Sequence, residues 1–185
     1  FTLLGPVGAV GLYELSRRRE LGLDAHWSHV FDVLRLPSFG AIVALGCVLM
    51  GLFLAWLASA QAIYQSLFGV MPPSSLGQFI SDVFTTPAGH SLMLWGNLVG
   101  FLFAVCVLAI SAISFPLLVD RDVGAAAAIA TSIRVVMTNP ATMAAWGLIV
   151  AALLVIGSLP AFVGLAAVMP VLGHATWHLY RRTVV

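Results

Sequence analysis

FGAIVALGCVLMGLFLAWLASAQAIYQSLF, residues 39–68, runs for thirty positions without a charged side chain. A hydrocarbon core about 30 Å thick takes about 20 helical residues to cross. The run is therefore long enough to span a bilayer with tilt or overhang. An unpaired backbone amide in lipid costs several kcal/mol, which leaves only helices and closed barrels as spanning structures. A barrel strand alternates apolar and polar side chains over about ten residues. Here every position from 39 to 58 is apolar, so the run reads as a helix.

Four further apolar runs flank it, and together the five predict spans at about 1–16, 39–68, 88–118, 141–157 and 159–180. The expected fold is all-α: a polytopic transmembrane helical bundle of about five spans, forming one integral membrane domain over residues 1–185. The first run is too short to cross by itself and is expected to be the end of a longer span. Composition agrees, since 61% of the residues are apolar and only 8% are charged. A soluble domain carries roughly 25% charged residues, and this chain could not cover its surface in water. Cys47 and Cys106 lie inside apolar runs and read as small apolar side chains.

All eight basic residues are arginine, and their placement predicts orientation. Arg17, Arg18, Arg19 and Arg35 fall between the first and second spans, and Arg121 and Arg134 between the third and fourth. Arg181 and Arg182 follow the fifth, while the two remaining loops carry no arginine or lysine. Positively charged loops stay in the cytoplasm. The chain is thus expected to lie with its C-terminus and arginine-bearing loops in the cytoplasm.

Short amphipathic helices are expected between spans. Trp27, Val30, Phe31 and Leu34 share one face of the first, opposite Ser28, Asp32 and Arg35. Ala125, Ile129, Ile133 and Val136 share a face of the second, opposite Thr131, Arg134 and Thr138. Ser75 to Gln78 reads as a capping box that opens a third, with Leu76, Phe79, Ile80 and Val83 on its apolar face. A weak repeat links the chain ends. In Leu4-Gly5-Pro6-Val7 and in Val168-Met169-Pro170-Val171, the proline precedes an Arg-Arg pair by eleven residues.

His174 and His178 are the strongest pair for metal chemistry, because i and i+4 share a helix face. No carboxylate lies in the same span, so the sequence gives no metal site, and these histidines remain weak candidates beside an interfacial reading. Trp177 and Tyr180, with the eight arginines, read as inner-leaflet anchors. Asp122 reads as a helix N-cap, and Glu14 with Arg18 as an i, i+4 pair. Gly96, Asn97, Gly100 and Ala104, and Gly147 with Ala151, form small-residue ladders read as helix-packing faces. No span holds a charged residue in its central half, and no zinc, nucleophile-elbow or P-loop motif occurs. The expectation is therefore a protein that is not an enzyme and has no cofactor beyond bound lipid.

Three stretches carry a family resemblance: Leu4 to Val7 with Gly11 to Arg18, Ser114 to Asp122, and Pro170 to Arg181. They resemble the domain-of-unknown-function 2189 family of predicted bacterial integral membrane proteins. The resemblance implies a multi-pass protein of the bacterial inner membrane without an assigned activity, in a family whose members usually carry more N-terminal membrane sequence. Some members are labelled cytochrome c oxidase proteins, and the few histidines here fit an accessory subunit rather than a catalytic one. The functional expectation is a non-catalytic accessory or structural subunit of a larger membrane complex, of respiratory type. A small-solute or lipid transporter is the alternative, favoured by the repeat and the proline- and glycine-interrupted spans. Expected partners are membrane lipids and other membrane subunits or a second copy, with no nucleic acid.

Overall fold

The computed structural model describes residues 4–24 and 26–184, with the side chains of residues 4–9, 27, 28, 30 and 31 outside the description. The Leu4–Val7 part of the repeat and the Trp27, Ser28, Val30 and Phe31 side chains therefore lie outside the described residues. The structure is 83% helical, with no strand among the described residues. Helices run in the order α1 (Leu4–Glu20), a 3-10 helix (Trp27–Arg35), α2 (Phe39–Phe68), α3 (Leu76–Thr85) and α4 (Pro87–Ser111). After them come α5 (Ser114–Asp120), α6 (Ala125–Thr138), α7 (Pro140–Ser158) and α8 (Leu165–Val184). Among the described residues, three stretches are long and apolar enough to cross a membrane: Phe39–Phe68, Pro87–Asp120 and Pro140–Ser158. The first and last predicted spans are also helical, as α1 and α8, but each ends in its arginine cluster and is less apolar.

Two units make up the chain. The first comprises residues 1–47 and 108–185. Its interior holds Leu45, Ile113, Leu118, Ala128, Met143, Trp177 and Tyr180, all nearly inaccessible. Between α4 and α5 the helix breaks at Ala112 and Ile113. Pro116 explains the break, because its ring would strike the carbonyl four residues earlier and it has no N–H to give. The Ile113 N–H then donates to the Ser132 hydroxyl at 3.2 Å.

That bond also sets the inward face of α6. Ala128, Ser132 and Val135 point inward, whereas Ile133, on the face predicted to be apolar, is exposed. Ser132 is turned inward because the α4–α5 break leaves a backbone donor there. The first loop helix also has one inward position. Its 3-10 winding has about three residues per turn, so position 33 rather than 34 follows positions 27 and 30. Val33 is buried and Leu34 exposed. Asp122 is not a cap either: α6 starts later, its N-cap is Gly124, and no side chain caps it.

The fifth apolar run does not become helical at 159. Ala161 and Phe162 take positive φ values of 49° and 67°, a conformation costing roughly 1–2 kcal/mol per residue. The tight reversal brings Gly157 against Leu165 and Val168. A Cβ on Gly164 would lie 2.8 Å from the Gly157 carbonyl oxygen and 3.0 Å from its Cα. Backbone cannot yield as a side-chain tip can. Gly164→Ala should therefore destabilise the α7–α8 pair by about 1–3 kcal/mol, read as an earlier midpoint in detergent unfolding. An unchanged midpoint would mean that the two helices do not meet this closely.

The second unit comprises residues 48–107. Ser75 caps α3 as its sequence predicts, accepting from the Gln78 N–H at 3.2 Å. Tyr64 stacks on Phe68 at 5.4 Å between centroids, and both meet Phe79 edge-on. These aromatics tie the end of α2 to α3.

Candidate functional site

Gly11 to Arg18, Ser114 to Asp122 and Pro170 to Arg181, far apart in sequence, meet at one end of the first unit. α1 and α8 run parallel there, as their successive contacts show. A Cβ on Gly173 would lie 3.0 Å from Leu12. Ser16 meets His174, and Glu20 reaches Trp177 and Arg181. Each pair climbs both helices in the same direction. α5 joins them through Asp120, which accepts from the Tyr180 hydroxyl at 2.7 Å and from Arg181 at 3.5 Å. Arg18 ties in the 3-10 helix through Asp32 at 3.0 Å.

Glu14 is the deepest charge, with 1% of its side chain exposed. Arg17 grips it with two bonds, Nε to Oε2 at 2.8 Å and Nη2 to Oε1 at 2.9 Å. Arg18, the expected partner, stands farther off at 3.8 Å and is turned to Asp32. The fork geometry of guanidinium suits a carboxylate well, and burial then demands the pairing. The Ser16 hydroxyl donates to the Leu12 carbonyl at 2.8 Å. It therefore accepts from His174 Nδ1 at 2.7 Å, which places the imidazole proton on that nitrogen. Among the described residues no buried polar side-chain atom lacks a partner.

Several singled-out residues take different places. Trp177 and Tyr180 are buried, at 1% and 0% exposure, and bind Glu20 and Asp120 rather than an open interface. His178 is exposed and His174 half-buried. Among the described residues no cluster of three metal-ligating side chains forms. Gly147 meets the Leu108 side chain, and Ala151 is exposed. In the second unit Gly96 faces open space, Gly100 has only Trp56 near, and Ala104 is exposed. Asn97 donates back to the Met93 carbonyl of its own helix at 2.6 Å.

The arginines divide into two sets. Arg17, Arg18, Arg121 and Arg181 lie within ion-pair distance of carboxylates. Arg19, Arg35, Arg134 and Arg182 are exposed and, among the described residues, have no carboxylate within that distance. Sequence reasoning missed Glu20 and Asp120 as partners of α8. The one signal available was the shared proline-to-arginine spacing, which marks α1 and α8 as equivalent and hence parallel.

Two of the carboxylates set a pH dependence. Arg181 and then Trp177 donate to Glu20 and hold its carboxyl below the usual range. His29, with Arg18 behind it, does the same for Asp32. A depressed carboxylate contributes stability that is present above its unfolded pKa, about 4, and lost as pH falls through its folded value. Acidification from pH 6 to pH 3 should thus loosen the α1–α8 and α1–loop contacts. Glu20→Gln should flatten that acid limb of the unfolding curve; an identical limb would remove Glu20 from the account.

Residues 1–120 match the family model described as "Predicted integral membrane protein (DUF2189)". No curated protein and no solved structure matches the chain.

Proposed function

The chain belongs to the DUF2189 family of predicted integral membrane proteins, and from that premise we propose that it is a non-catalytic accessory or structural subunit of a larger membrane complex, of the respiratory, cytochrome c oxidase type. One observation carries this reading. The residues that look most like chemistry are engaged with one another across α1, α5, α8 and the first loop. Ser16 with His174, Glu20 with Arg181, and Asp120 with Tyr180 act as a lock between helices, while Glu14 and Arg17 pair within α1. What remains for other molecules is largely apolar surface, including Leu94, Phe101 and Leu102 on α4 and Leu148 and Val155 on α7.

The lock gathers Arg17, Arg18, Arg121 and Arg181 at one end of the first unit. That gathering supports an inner-membrane topology with this end in the cytoplasm. Purification in mild detergent tests the proposal. It should yield a defined set of membrane subunits at fixed stoichiometry, or a stable self-assembly. A monodisperse single copy carrying only lipid would overturn it.

A lipid transporter is the second reading, favoured by an apolar groove in the second unit. The groove encloses about 330 Å³ between Leu49, Phe53, Trp56, Gly100 and Phe103. Transfer of a labelled lipid between vesicle populations by the reconstituted protein, above the protein-free rate, would decide for that reading.

A further inference from the structure

We propose that Arg19, His178 and Arg182 form a binding site for the phosphate of an anionic lipid headgroup, along the open side of the α1–α8 seam. This inference does not depend on the accessory-subunit reading. It starts from the way the two parallel helices divide their charges.

Each helical residue advances about 100° around its axis. Counted from His174, which meets Ser16 of α1 at 2.7 Å, Trp177 and Arg181 fall to one side of α8. His178 and Arg182 fall to the other. The first side is where Glu20 binds both Trp177 and Arg181, and where Asp120 takes Tyr180 and Arg181. On α1, Glu20 lies on that same side of Ser16, and Arg19 on the opposite one. Every carboxylate bound at this seam is therefore on one side, and Arg19, His178 and Arg182 line the other, all exposed. Arg19 and His178 both act electrostatically on His174, and His178 also acts on Glu20, so the His178 imidazole stands nearest the boundary between the two sides.

The level in the membrane identifies the anion. Asp120 closes α5, beyond the break that ends α4. Arg181 binds Asp120, so His178 and Arg182 lie within about one helical turn of it, at the arginine-bearing end that faces the headgroup layer. Lipid phosphates occupy that layer. Guanidinium groups match phosphate geometry and hold it with paired bonds. The same arginines oppose a cation at His174 and His178.

The test uses the full chain in dodecylmaltoside micelles, titrated with short-chain phosphatidylglycerol, short-chain phosphatidylcholine, inorganic phosphate or zinc, with binding read by native mass spectrometry. Phosphatidylglycerol should bind about tenfold tighter than phosphatidylcholine, given the contribution of each arginine near a headgroup. The pair Arg19→Gln with Arg182→Gln should bring that preference to about twofold or less. Arg19→Lys with Arg182→Lys should keep most of it, as should Arg35→Gln with Arg134→Gln. Circular dichroism should show unchanged helicity; if the double variant loses helicity, Arg182→Gln alone should still lower the preference about threefold. An unchanged preference in the glutamine variants would overturn the proposal. So would inorganic phosphate binding as tightly as the lipid, or one zinc bound per chain and lost in His178→Ala.

Discussion

Trp177→Ala should lower the unfolding free energy of the detergent-solubilised protein by about 3–5 kcal/mol, the usual cost of emptying a fully buried indole site. Trp177 is 1% exposed and lies 5.6 Å from Tyr180 between ring centroids. Its indole N–H donates to Glu20 at 3.0 Å, so one side chain both fills the seam and joins α8 to α1. Trp177→Phe separates the two roles. Keeping most of the ring but losing the donor, it should cost about 1–2 kcal/mol. The readout is equilibrium unfolding in mixed micelles, followed by helicity. If the alanine variant unfolds within about 1 kcal/mol of the parent, Trp177 is a peripheral residue and the seam is not packed as described.

Glu14→Gln should cost nearly as much, about 3 kcal/mol. Removing one partner of a buried ion pair leaves the other charge uncompensated, at a cost of about 3–5 kcal/mol. Arg17 retains 26% exposure and can recover some hydration, which favours the lower end. The stronger check is the double variant. With Arg17→Gln added, no lone charge remains, and two amides can pair where the ions did. Glu14→Gln with Arg17→Gln should therefore be at least as stable as Glu14→Gln alone. Additive losses would mean that Arg17 works through contacts other than Glu14.

Local physics explains which features were legible in the sequence. The long apolar run at 39–68 appears as a helix with those limits, because nothing but intrahelical bonding satisfies its backbone in lipid. Pro140 opens α7, and Ser75 caps α3, through signals carried within a few residues. The facing of short helices was less legible. Val33 rather than Leu34 is buried because the first loop winds as a 3-10 helix, and Ser132 is turned inward by a backbone donor in another segment. Neither cause can be seen from the periodicity of the helix itself.

The same division holds for the arginines. Their count and their confinement to the stretches between apolar runs follow from the sequence alone, since the segments that cross a membrane must be apolar and the loops alone can carry charge. So do the helical class and the membrane setting. The sequence could not say which arginines face inward to carboxylates and which face outward. Glu20 and Arg181 are 161 residues apart, and Asp120 and Tyr180 are 60 apart. Only the parallel packing of α1 against α8, with α5 alongside, selects those pairs. Burial of Trp177 and Tyr180 had the same origin. An aromatic residue near a helix end suits an interface or a core equally well, and the neighbouring helices decide which one it meets.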